Sequence, residues 1–130
     1  EIRGILVQEM VEGGREAIVG MSQDLQFGPT IVFGLGGIFV EVLKDTSLRV
    51  APITRSDAED MIKEIKGHKV LEAFRGSAEA DIDGIVDVLL RLSRLSMDLK
   101  DVVAEIDINP LVVMDKGQGV KAVDALVVLK

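Results

Sequence analysis

Glu105, Asp107 and Asn109 alternate with Ile106 and Ile108 in "EIDINP" (105–110). Alternation at period two marks a strand and puts the polar side chains on one face. A turn near Gly117 in "DKGQG" (115–119) folds "VKAVDALVVL" (120–129) back as a hairpin. That brings Asp124 to within about a residue of Asn109 and Pro110. The expected cluster is Asp107, Asn109 and Asp124, with Glu105 further along the strand. It holds no His or Cys, so its chemistry is that of a hard cation: Mg²⁺ or Mn²⁺, most naturally Mg²⁺ shared with phosphates. Two carboxylates on one strand face repel each other unless a cation or water separates them. Asp124 lies in "KAVDALVV", where a carboxylate without a partner is expected to be costly. A strand with a solvated second face gives the same alternation.

Two further stretches have the composition of a ligand site. In "QEMVEGGRE" (8–16), Glu9 ends one apolar run and Glu16 opens the next. Free backbone groups there can pair with an adenine edge, and a carboxylate can accept from ribose hydroxyls. A hairpin with charged rims fits equally. In "FGLGGIFVE" (33–41), Gly34, Gly36 and Gly37 let backbone approach a ligand closely. The stretch is neither a Walker A loop nor a Rossmann fingerprint, since no Gly-Lys-Ser/Thr occurs and no helix is expected to follow. Glu41 is a site carboxylate or a strand-edge charge. His68, the single histidine, reads as a surface residue, and the five methionines read as core filler. Arg15 and Arg49 can reach phosphates, but solvated roles suit them as well.

The elements that must position these residues follow from periodicity. "GILVQEMV" (4–11) reads as a buried strand, paired across Gly13 and Gly14 with a second strand, "EAIVGMSQD" (16–24). Short extended segments are expected at 27–37, 38–45 and 47–53. The period changes at "TRSDAEDMIKEIKG" (54–67), a helix capped by Thr54 or Ser56 and stopped by Gly67. A short helix is expected at 68–76, and "DIDGIVDVLLRLSRLSMD" (81–98) carries the clearest apolar stripe. Strands at 102–114 and 120–129 close the chain. The order predicts an α+β fold, a mostly antiparallel sheet covered by helices on one face.

Composition bounds the function. At 130 residues the chain fits one domain, and 48% hydrophobic residues make it globular. A net charge of −7 argues against a nucleic-acid partner. The absence of Cys excludes disulfides and thiolate metal sites and suits a reducing cytosol. No apolar run approaches the ~20 residues of a membrane span. A start at Glu1, mid-pattern and without a signal sequence, is what an excised piece of a longer protein would show.

Taken together, "LVQEMVEGGREAIVGMSQDLQFGPTIVFGLGGIFVEVLKDTSLRVAPIT" and "EIDINPLVV…AVDALVVL" resemble the ATP-grasp region of the ADP-forming acyl-CoA synthetases (acetate–CoA ligases). The pattern is also similar to succinyl-CoA synthetase β subunits and to synthetase-like regions of bacterial protein acetyltransferases. The resemblance covers essentially the whole chain and implies the C-terminal subdomain of an ATP-grasp fold over 1–130. It implies a reaction in which acyl-CoA, ADP and phosphate give acid, CoA and ATP through acyl-phosphate and phosphohistidine intermediates. Asn109 and Asp124 would then bind Mg²⁺ on the phosphates of ATP or ADP, with Asp107 a third or water-mediated ligand. Glu9, Met10 and Val11 would form the adenine-facing hinge, and Glu16 would meet the ribose. Gly36, Gly37 and Glu41 would lie beside the transferring phosphoryl group. The family's phosphate-holding Lys and its phosphorylated His, in an "HKSDAGG"-type loop, are absent here, and His68 is not in that context. An N-terminal ATP-grasp subdomain and CoA-binding and ligase domains or subunits are therefore the implied partners, and the isolated chain is expected to be inactive. The rival expectations are a regulatory region of a protein acetyltransferase and a non-catalytic interaction module.

Overall fold

Alternating apolar residues in the first half of the chain build the centre of the fold. In the computed structural model, which describes residues 1–130 apart from the side chain of Ile38, β1 (Arg15–Asp24) and β2 (Gly28–Leu35) form an antiparallel hairpin. Its turn is held by the Asp24 carboxylate, which accepts from the backbone N–H groups of Gln26 and Phe27 at 2.8 and 2.9 Å. Those two bonds keep the Asp24 carboxyl below the usual carboxylate range. A short helix, α1 (Ile38–Glu41), leads to β3 (Thr46–Val50), which pairs with β2. On its other side β1 pairs with β4 (Val103–Val113). Along the outer side of β4 lie β5 (Val120–Ala122) and then β6 (Ala125–Leu129), giving a six-stranded antiparallel sheet.

One face of this sheet is the core. Ala17, Val19 and Met21 lie opposite Leu35, Phe33 and Ile31, and all six are buried. Two helices cover them. In α2 (Arg55–Glu64), Ala58, Met61 and Ile62 point inward; in α3 (Ile82–Asp98), Ile85, Val86, Leu89 and Leu92 do so. Thr54 caps α2 with a reciprocal box, its hydroxyl accepting from Asp57 N while Asp57 accepts from Thr54 N. The bonds from Thr54 hold the Asp57 carboxyl below its ordinary value. Asp81 caps α3 through Gly84 N and also accepts from Gly119 N at 2.7 Å, tying the helix start to the turn before β5. No buried side-chain polar atom lacks a partner among the described residues.

The α+β architecture is therefore the expected one, with five local corrections. Residues 4–11 are not a buried strand: Ile5, Leu6, Val7 and Met10 are exposed, and the segment pairs with nothing in the sheet. Both sides of β1 are taken, by β2 and β4, so a 4–11 hairpin arm has no place beside it. Residues 38–41 are helical rather than extended. The helix expected at 68–76 is a 3₁₀ turn over Lys66–Leu71, and α2 stops at Glu64, before Gly67. The last strand is split at Val123–Asp124. Met10 is exposed, whereas Met21 and Met61 fill the core as expected. No helix is long and apolar enough to cross a membrane.

Candidate functional site

The second face of the sheet carries no helix, and the predicted chemistry lies there. Cross-strand partners share a face, so the register can be read as rows. One row runs Leu126, Asp107, Gly20, Val32 and Leu48; the next runs Val128, Glu105, Ser22, Thr30 and Val50. On the other flank of Asp107, Asn109 N donates to Asp124 O at 3.1 Å, placing the two residues opposite each other. Beyond them lies Lys121 opposite Val112, with Glu16 opposite Val112 on β1. Gly36 N then donates to Glu16 O at 2.8 Å. Asp107, Asn109, Asp124, Glu16 and Gly36 thus occupy adjoining rows of one open face.

The irregularity that makes this possible is a bulge. Between Ile108 and Leu111, β4 has Asn109 and Pro110 where β1 has Ile18 alone. The Asn109–Pro110 peptide bond is cis. A bulge re-aims its side chains and locally ends pairing. Here it returns Leu111 and Val113 to the core while Asn109 stays with Asp107 on the open face. On the partner side the sheet edge breaks at Val123–Asp124 to match, and Val123 N donates to Pro110 O at 3.1 Å. The register expected from the turn at Gly117 is the one observed.

Electrostatically the cluster is more open than its sequence context suggested. Asp107 is half-buried, whereas Asn109, Asp124 and Glu105 are exposed. The desolvation argument for a bound cation at Asp124 therefore does not hold: an exposed carboxylate costs little without a partner. Asp124 Oδ1 accepts from Ala125 N at 2.9 Å. No group of three His, Cys, Asp or Glu side chains converges as a metal cage among the described residues. Two carboxylates and an amide oxygen are a partial shell, which suits Mg²⁺ because it keeps waters and phosphate oxygens among its ligands. Gly20 leaves room beside it: a Cβ there would stand 3.9 Å from Asp107 Oδ1 and 2.9 Å from Ile106 O.

The remaining predicted residues are dispersed, and only some lie beside this face. Glu9 forms an ion pair with Lys121. Met10 is exposed and Val11 half-buried. Glu41 is exposed on α1. The glycines are explained without a ligand: a Cβ on Gly36 would meet Glu16 Cβ at 2.9 Å, one on Gly34 would meet Val40 Cγ2 at 2.8 Å, and Gly37 has φ +65°. Arg15 is tied to Val70 O, Ala78 O and Asp115, and Arg49 to Glu64, so neither is held ready for phosphate. His68 sits half-buried on the helix side, 3.0 Å from Ile65 O. Lys121 was missed in the sequence because it is one lysine among ordinary strand residues; only its register with Val112 and Glu16 places it on this face.

Concave surface lies elsewhere. A cavity of about 370 Å³ on the helix side is lined by Ile62, His68, Leu71 and Asp83 among others. Another, of about 730 Å³, lies beside Arg15 and Phe74. Neither contains the acidic cluster, which is a sheet face that can form one wall of a cleft.

Comparison with known proteins places the chain in a family. A model described as an ATP-grasp domain matches residues 1–129. The chain is 52% identical, over all 130 residues, to the β subunit of an ADP-forming acetate–CoA ligase II of Pyrococcus furiosus, of which it spans 55%. It is 55% identical over 119 residues, 92% of the chain, to an ADP-forming acetate–CoA ligase I of Archaeoglobus fulgidus, of which it spans 17%. Among solved structures, acetyl-coenzyme A synthetase 1 of Ca. Korarchaeum cryptofilum, in complex with coenzyme A and Ca-AMPCP, superposes with a TM-score of 0.93 and 48% identity. That match covers 100% of this chain and 56% of the other. The same synthetase with coenzyme A and Mg-AMPPCP, its phosphohistidine segment pointing towards the nucleotide-binding site, gives 0.88 and 47%, with 95% and 56% covered. The chain therefore spans about half of the Pyrococcus subunit it matches, and it belongs to the ATP-grasp domain family.

Proposed function

We propose that the chain is the C-terminal ATP-grasp subdomain of an ADP-forming acyl-CoA synthetase of the cytoplasm, and that its open sheet face binds Mg²⁺ and the phosphates of ATP or ADP. The observation that carries this reading is that Asp107, Asn109 and Asp124 lie on neighbouring rows of one helix-free face, with Glu16 and Gly36 in the adjoining row. Two lines of similarity support it: 52% identity across the full chain to an ADP-forming ligase subunit, and superposition on a synthetase solved with Mg-AMPPCP.

Each residue has a task that its position allows. Asp124 and Asn109 offer oxygens from facing strands, and Asp107 offers a third, directly or through water. Bound there, Mg²⁺ would neutralise phosphate charge and align the phosphates for transfer. Glu9, Met10 and Val11 sit at the end of the exposed N-terminal segment, where backbone groups can meet the base. Glu16 is placed to accept from the ribose, and Gly36, Gly37 and Glu41 line the approach to the phosphates. Phosphoryl transfer depends mostly on positioning and charge neutralisation, which these residues provide. The second wall of the cleft, the phosphorylated histidine and the CoA site belong to the remainder of the proposed enzyme. No feature of the described residues favours the acetyltransferase-associated regulatory reading.

The test is an assay of the full-length protein with acetyl-CoA, ADP, phosphate and Mg²⁺. ATP should form only when all four are present. A full-length protein that neither forms ATP nor binds Mg²⁺-nucleotide would overturn the assignment.

A further inference from the structure

Glu16, the proposed ribose contact, stands at a weak point of the sheet. It is the second residue of β1, and two glycines with positive φ, Gly13 (+74°) and Gly14 (+77°), lead into the strand. The β1–β2 ladder begins only at Ala17, so on that side Glu16 is held by one backbone bond, from Gly36 N to Glu16 O at 2.8 Å. Strand ends open locally, and glycines just before one restrict the backbone least. The exposed Glu16 carboxylate keeps a fixed direction only if a neighbour holds the end of the strand.

Arg15 is that neighbour. By period two its side chain points to the helix side while Glu16 points to the open face. It is only 16% exposed and reaches three acceptors. Nε donates to Val70 O at 2.8 Å, Nη2 to Ala78 O, and Nη1 to Asp115 Oδ1 at 3.4 Å. The acceptors are themselves anchored. Lys116 N donates to Glu79 O at 2.8 Å, Asp81 N donates to Met114 O at 2.9 Å, and Ala80 bridges to Asp115. Residues 78–81 are thereby laced to the end of β4, and β4 lies beside β1 with Val113 opposite Arg15. Every group in this hook belongs to the chain itself.

We propose that Arg15 is a positioning residue of the nucleotide site. Hooked into the helix side, it fixes the rotation of the β1 end and so aims the Glu16 carboxylate at the ribose hydroxyls. The role rests on the reading of Glu16 as the ribose contact, and Arg15 acts through Glu16 from the opposite face. Rotation matters here because Glu16 Cβ is packed against Gly36, where an added Cβ would stand 2.9 Å from it. A turn of the strand end therefore moves the carboxylate relative to the Gly36–Gly37 loop. The planar fork of arginine serves three spread acceptors at once, which the single ammonium of lysine does not.

The test compares ADP with 2′,3′-dideoxy-ADP, which lacks both ribose hydroxyls, as substrates of the full-length protein with acetyl-CoA, phosphate and Mg²⁺. The wild-type protein should prefer ADP in kcat/KM by at least about tenfold, the effect of a hydrogen bond to a charged group. Glu16→Ala should abolish the preference. Arg15→Lys should remove most of it through a higher KM for ADP at little-changed kcat, with dideoxy-ADP turnover nearly unaltered. Asp115→Ala withdraws one acceptor and keeps the two carbonyls, so it should act in the same direction by a smaller factor, and it carries the test if Arg15→Lys fails to fold. A preference lost in Glu16→Ala but kept in the Arg15 and Asp115 variants would overturn the role of Arg15 and leave the nucleotide reading standing. Equal losses on both nucleotides would overturn it too, since a merely structural residue gives that result. A preference unchanged in Glu16→Ala would remove the ribose contact, and the role of Arg15 with it.

Discussion

Asp124→Asn should lower ATP formation by the full-length protein by roughly 10²-fold and leave the fold intact. The size follows from the proposed site, where one charged oxygen would be lost from a shell of two carboxylates and an amide, in a proposed reaction whose catalysis is charge neutralisation. The fold should survive because Asp124 is exposed and its side chain's hydrogen bond, from Ala125 N at 2.9 Å, can be accepted by an amide oxygen as well. Activity and thermal melting measured together check this: activity collapses while the melting temperature stays put. Undiminished activity in Asp124→Asn would remove Asp124 from the metal site.

Phe33→Ala costs about 3–5 kcal/mol of stability. Phe33 is fully buried at the centre of β2, opposite Val19 on β1 and Ser47 on β3. The rigid sheet beneath and helices above leave little room for collapse into the space it vacates. Against a total stability of order 5–15 kcal/mol, that loss is large. Urea unfolding reads it as a lower midpoint at unchanged slope. Phe27→Ala, at a position 66% exposed in the β1–β2 turn, should change stability by only about 0.5 kcal/mol. Comparable losses at the two positions would contradict the placement of the core.

Much of this arrangement was legible because period-two alternation reports the face of a residue directly. "EIDINP" gave a strand with its polar residues together, and the turn at Gly117 set the register that places Asp124 opposite Asn109. The stripe in 81–98 gave α3 almost to the residue. What failed did so for identifiable reasons. A mostly apolar segment such as 4–11 looks like a buried strand whether or not a neighbour exists, and which strands neighbour β1 is a matter of topology. The brief helix 38–41 is too short to show a period. The exposure of Asp124 depends on β6 being an edge, which local composition does not reveal. Nor does the sequence show that a Cβ at Gly34 or Gly36 would meet Val40 and Glu16.

The most direct test of the central claim is paramagnetic broadening in the NMR spectrum of the ¹⁵N-labelled chain on titration with Mn²⁺-ADP, which registers even weak binding. Broadening should centre on Asp107, Asn109 and Asp124, and reach Gly20 and Glu16 on the same open face. Broadening centred instead on Glu59, Glu72, Glu79 and Asp83, which line the cavity on the helix side, would contradict the account.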